Sequence, residues 1–195
     1  MKSARIHDAK MSSSWNPPRR PSANYVNMDK CIGAGAIIMS KGMFIFGYSD
    51  SYSALSNFTS FNFSESCRDP RYLASKIVYE LSAGLIKINY TELSNERFID
   101  WYPGNNSEFI RCYLIIVNDL DNLLFRKAQL KHIKTAGPYS IIGEFTKIIK
   151  VPVTNTFDVA RGRSNMLTDI YGDQYRVDRN VLYVIKMFVG KLFDK

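Results

Sequence analysis

Apolar and polar positions along the chain change period several times, and each change marks an element. Cys31–Met39 and Met43–Tyr48 are short apolar runs parted by Lys41-Gly42, and two such runs across a tight turn predict a β-hairpin. Phe58, Phe61 and Phe63 then alternate as in a short strand. From Asp69 the period lengthens: Leu73, Ala74, Ile77, Val78 and Leu81 recur at the three- and four-residue steps that line one face of a helix. Asp69 suits the N-cap, Pro70 the first helical position, where its missing donor costs nothing, and Gly84 a left-handed stop.

After this helix, Leu85–Tyr90 and Phe98–Tyr102 read as strands, and the long apolar run Glu108–Val117 as a central, buried one. Asp121–Thr135 mixes Leu123, Leu124, Ala128, Leu130 and Ile133 with Arg126, Lys127, Lys131 and Lys134, the pattern of an amphipathic basic helix. His132 stands within it without a partner at metal-ligand spacing and is expected on the surface. Ile141–Val153 reads as a late strand and Asp169–Asp173 as a turn. Val181, Leu182, Val184, Ile185, Phe188, Val189 and Leu192 form the core stripe of a closing helix over Val177–Phe193.

Composition places these elements in one domain. With 195 residues, 46% hydrophobic and 23% charged, the chain has the balance of a soluble globular protein long enough for a real core. Residues 1–29 contain Ser12-Ser13-Ser14, Pro17-Pro18 and Arg19-Arg20-Pro21 with almost no apolar periodicity, so a disordered basic tail is expected there and the domain over 30–195. The net charge of +8 favours polyanionic or phosphate-bearing partners. A signal-peptide apolar run is lacking, and no stretch approaches the roughly 20 apolar residues of a membrane span, which leads to the expectation of a soluble cytoplasmic protein without a membrane partner. Cys31, Cys67 and Cys112 are scattered and odd in number, pointing to reduced thiols and no zinc site. Gly33 and Gly35 have the first spacing of a dinucleotide fingerprint, but no helix follows and the third glycine is absent.

The helix brings a resemblance. Leu73-Ala74-Ser75-Lys76-Ile77-Val78-Tyr79-Glu80-Leu81-Ser82-Ala83-Gly84 resembles the box helix of the Nudix hydrolase superfamily. The core pattern of that family is Ala-x-Arg-Glu-hydrophobic-x-Glu-Glu-x-Gly, and its carboxylates hold divalent metal against a diphosphate. On that pattern Ala74 matches the alanine, Lys76 stands for the arginine, Val78 is the hydrophobic position and Glu80 the first of the paired glutamates. Ile77 and Leu81 occupy the positions of the other two acids, and Gly84 comes one residue late. Sliding the register by one, to put Gly84 on the family glycine, leaves Ile77, Val78, Leu81 and Ser82 in the charged slots.

The resemblance implies an α/β (α+β) fold in one domain: a Nudix-like mixed β-sheet sandwiched by helices. It also implies roles for acids outside the helix. Glu65 and Asp69 lie in the loop where family members carry an upstream acid, although Phe63 stands where glycines would let backbone approach phosphate. Glu144 lies in the late strand segment, where the family places a base or an additional metal ligand.

With two box acids missing, the first reading is a Nudix-like protein that has lost hydrolysis and serves binding or assembly. It would need no cofactor, would take RNA or a nucleotide as ligand, and would pair with another protein or its own copy. Lys76, Arg126, Lys127, Lys131, Lys134, Arg19 and Arg20 are then the candidate substrate or polyanion contacts. Two alternatives stay open. One is a metal-dependent hydrolase of nucleoside diphosphate derivatives or RNA caps, with Glu80 and Glu144 catalytic and Glu80, Glu65 and Asp69 holding Mg²⁺ or Mn²⁺. The other is an unrelated α/β interaction protein.

Overall fold

The computed structural model describes residues 28–60, 69–95, 97–104, 107–133 and 144–193. Residues 1–27 of the expected tail, Phe61, Phe63, Glu65, Lys134 and the start of the late strand segment lie outside them.

The chain forms a hairpin first. β1 (Cys31–Ser40) and β2 (Met43–Ser49) pair antiparallel across Lys41-Gly42, both residues with positive φ. β2 leaves β1 after three paired positions and takes up β3 (Ala54–Ser56), while β4 (Phe58–Ser60) pairs antiparallel with the middle of β1. Here Gly35 has its reason: a Cβ on it would stand 2.3 Å from the Phe58 carbonyl oxygen, so the β1–β4 approach needs a residue with no side chain.

On its other edge β1 runs parallel to β6 (Phe109–Ile116), the long apolar run, which lies between β1 and the short edge strand β5 (Phe98–Trp101). β7 (Lys147–Pro152) pairs with β2 and closes the opposite side. The sheet is therefore mixed, with β1 near its middle.

Both faces of this sheet are covered. Ala34, Ala36 and Ile38 of β1, Ile45 of β2, and Tyr113 and Ile115 of β6 face α1 (Pro70–Leu81) and Phe125 of α2 (Asn122–Ile133). Residues of the other parity, Ile37, Phe44, Phe46, Ile110, Cys112 and Leu114, pack with Val159 of α3 (Phe157–Ala160) and the apolar stripe of α4 (Arg179–Phe193). Val181, Val184, Ile185, Phe188 and Val189 of that stripe are buried, as their spacing predicts. One sheet shared by two helical layers makes a single domain.

Three features depart from the sequence pattern. Leu85–Tyr90 is not a strand. α1 ends with Ala83 and Gly84 at φ 53° and 79°, which turns the chain across the helix end, and the Ile86 N–H donates to Ser82 Oγ rather than to a neighbouring strand. A short hairpin, β8 (Met166–Thr168) with β9 (Gln174–Arg176), surrounds the expected turn at Asp169–Asp173.

α2 forms where its pattern predicts but is turned over. An amphipathic helix should bury its leucines, yet Leu123, Leu124 and Leu130 are 63%, 55% and 65% exposed. The helix instead lies along the outer edge of β7, where the side chains of Asn122, Arg126 and Gln129 hydrogen-bond backbone groups of Ile148, Thr146 and Phe145. An uncovered strand edge carries unpaired N–H and C=O groups, and these three polar side chains occupy one helical face to meet them.

Candidate functional site

α1 carries the residues singled out by the box resemblance, so its faces decide what the site can do. The helix begins at Asp69, whose carboxylate accepts the Arg71 N–H at 2.8 Å, with Pro70 in the first turn. The same carboxylate accepts the Arg71 guanidinium in a fork, from Nε at 3.0 Å and from Nη2 at 2.7 Å. The Arg71 side chain is the main reason that the Asp69 carboxyl is held below its ordinary range. Asp69 is thus a helix cap and an ion-pair partner.

Glu80 is half-buried near the far end of α1. Eleven residues at the helical rise set it about 16 Å from Asp69 along the axis, too far for the two carboxylates to share an ion. Ile77 and Leu81, on the two other box positions, are 5% and 3% exposed and belong to the core under the sheet. Glu144 is exposed in the approach to β7, and desolvation by the surrounding protein raises its carboxyl pKa. Among the described residues no three of His, Cys, Asp and Glu gather as a metal-holding cluster. Hard cations need several oxygen ligands, and the described residues of this helix do not fit Mg²⁺ or Mn²⁺.

The basic candidates divide. Lys76, Arg126, Lys127 and Lys131 are exposed, while Arg19, Arg20 and Lys134 lie outside the described residues. His132 is less of a surface residue than its spacing suggests: its ring meets Tyr79 edge-on at 6.4 Å, where α2 reaches the end of α1.

At the other end of α1 the structure makes a cleft of ≈ 470 Å³, lined by Met28, Asp69, Pro70, Arg71, Leu93, Phe98, Arg111 and Tyr113. Its floor comes from two paired strands. Asp100 of β5 lies opposite Arg111 of β6, and the guanidinium donates to both carboxylate oxygens at 2.7 and 2.8 Å. Arg111 also stacks 4.0 Å over the Phe98 ring, which is 41% exposed. Burial raises the Tyr113 phenol to about 12 against the opposing pull of the Arg111 charge, so it enters the cleft as a neutral group. Tyr72 and Tyr90, both exposed, meet edge-to-face at 6.1 Å at the same end of the helix. The arrangement offers aromatic rings and guanidinium planes in a cleft whose two arginines are each matched by an aspartate.

Sequence reasoning did not assemble this cleft. The signal lay in the alternation: Phe98 and Asp100 share one face of β5, and Phe109, Arg111 and Tyr113 share one face of β6. An acid and a base at matching parity in two adjacent apolar strands is the pattern that points to it.

No protein-family model matches the chain, and no curated protein matches it. Among solved structures it is similar to a C. elegans Ap4A hydrolase in a binary complex, at 9% sequence identity and a TM-score of 0.47 over 84% of this chain and 99% of that one. A likeness that distant carries no inference about family or activity.

Proposed function

We propose that the chain is a Nudix-like domain that binds RNA or a nucleotide and does not hydrolyse it. The observation that carries this reading is the burial of Ile77 and Leu81, the two box positions where the family has carboxylates, inside the core between α1 and the sheet. Diphosphate cleavage in that family needs metal to neutralise phosphate charge and activate water, and two apolar side chains turned into a core perform neither task.

The cleft at the start of α1 supports the binding half of the reading. Bases stack on exposed aromatic rings whatever their identity, and guanidinium planes stack in the same way. Phe98 and Arg71 in the cleft supply such groups, Tyr72 and Tyr90 add two rings at the same end of the helix, and the net charge of +8 draws a polyanion toward them. Binding of this kind is sequence-tolerant and weakens with salt.

The test has two arms. A panel of nucleoside triphosphates, dinucleoside polyphosphates, ADP-ribose and capped RNA is incubated with the protein and Mg²⁺ or Mn²⁺. Turnover of about one per second on any of them, lost in Glu80→Gln, establishes the hydrolase alternative instead. In parallel, a fluorescent single-stranded RNA is titrated at low and physiological salt. Binding that Phe98→Ala or Arg71→Ala weakens supports the cleft, and binding unaffected by either variant removes it.

A further inference from the structure

The outward face of α2 goes beyond that reading, because it lies on a different surface and has a different chemistry. Leu123, Leu124, Lys127, Leu130 and Lys131 fall within an arc of about 120° and extend about 12 Å along the helix axis. The three leucines are more than half exposed, and the inward arc is taken by Phe125 and by the polar side chains that close the edge of β7. The helix therefore has no surplus of inward-facing positions to which these leucines might turn. Between Asn122 and Ile133 there are three basic residues, Arg126, Lys127 and Lys131, and no acid.

We propose that this face docks an acidic amphipathic helix of another protein, with the leucines as its apolar seam and the lysines meeting the partner's carboxylates. Leu123 and Leu130, seven residues apart, lie on one line along the helix and Leu124 flanks it, a pair of anchors one heptad apart of the kind by which a helix holds a partner, and charge decides which partner it admits. Charge also argues against other occupants. Residues 1–27 of the chain carry five basic residues (Lys2, Arg5, Lys10, Arg19, Arg20) against Asp8, so they share the sign of this face. A second copy would bring Lys127 and Lys131 against their own counterparts. An anionic bilayer holds a helix by a broad apolar face, and three leucines within about two turns make a narrow one.

The test uses the full chain and a labelled synthetic peptide: a helix with leucines at i, i+3 and i+7 and glutamates flanking them. A control peptide has lysine at every glutamate. Fluorescence anisotropy is expected to show saturable binding of the acidic peptide and none of the control. Leu124→Gln or Leu130→Gln, and separately Lys127→Glu with Lys131→Glu, are each expected to weaken it about tenfold or more, since burying one leucine is worth at least that factor. These side chains are exposed, so the variants keep the wild-type melting curve. Equal binding of both peptides, or affinity unchanged in the variants, overturns the proposal. So does concentration-dependent dimerisation abolished by Leu130→Gln, or leucine-dependent co-sedimentation with phosphatidylserine vesicles.

Discussion

The side-chain amide of Asn122 takes both backbone groups of Ile148: its Nδ2 donates to the Ile148 carbonyl at 2.7 Å, and the Ile148 N–H donates to its Oδ1 at 2.8 Å. A carboxamide has the donor and acceptor of a peptide unit, so this one residue serves β7 in place of a further strand. Asn122→Ala leaves both groups to water or unpaired. The expected loss is about 1–2 kcal/mol, read in a urea titration, together with faster hydrogen exchange at the Ile148 amide. A variant that aggregates while its monomer remains as stable as wild type would locate the role in blocking edge pairing alone.

Ile77 and Leu81 make the second prediction. Leu81→Ala opens a cavity and should cost about 2–5 kcal/mol. Ile77→Glu, which restores a box acid on paper, places a carboxylate in the core under α1 and should destabilise the fold by more than a surface change would. It is expected to lower the melting temperature without producing Mn²⁺-dependent hydrolysis. A folded Ile77→Glu protein that turned over a nucleotide would show that this helix can rotate its face outward.

Asp69 is the third. Its folded-state pKa is depressed, chiefly by the Arg71 hydrogen bonds, so its stabilising effect is present above the unfolded-state pKa and is lost as pH falls through the folded one. Asp69→Ala should therefore cost about 0.5–2 kcal/mol near neutral pH and progressively less in acid. Thermal melts of the two proteins across an acid series measure this, and a pH-independent difference would assign the loss to packing instead.

At alkaline pH the direction reverses. Burial raises the Cys112 thiol from 9.0 to about 12 and leads in raising the Tyr113 phenol from 10.0 to about 12. Both groups favour the neutral form in the folded state, so their contribution is complete below the unfolded-state values and is lost as pH rises through the window toward 12. Tyrosinate absorbance should show a late-titrating component that Tyr113→Phe removes. Cys112 should react with a thiol reagent only on unfolding.

Much of the architecture follows from the sequence alone. The β1–β2 hairpin, α1 with its Asp69 cap, the apolar β6 and the stripe of α4 all rest on local terms. Capping, turn dihedrals and three-to-four-residue periodicity act between residues a few positions apart, and a reader of the chain sees them directly. The apolar character of Ile77 and Leu81, which puts them on the core face of α1, is legible in the same way.

Tertiary structure decided the rest. Leu85–Tyr90 has strand-like composition, but a strand requires a neighbour, and the turn at Ala83 and Gly84 leads it away from one. The cleft exists because β5 and β6 pair in a register that sets Asp100 against Arg111. The orientation of α2 is the clearest instance. Periodicity alone would turn its leucines inward, but the unpaired edge of β7 lies 26 residues away in sequence from Asn122 and holds hydrogen-bonding groups that must be satisfied. Three polar side chains answer that need, and the leucines are left facing outward as a consequence.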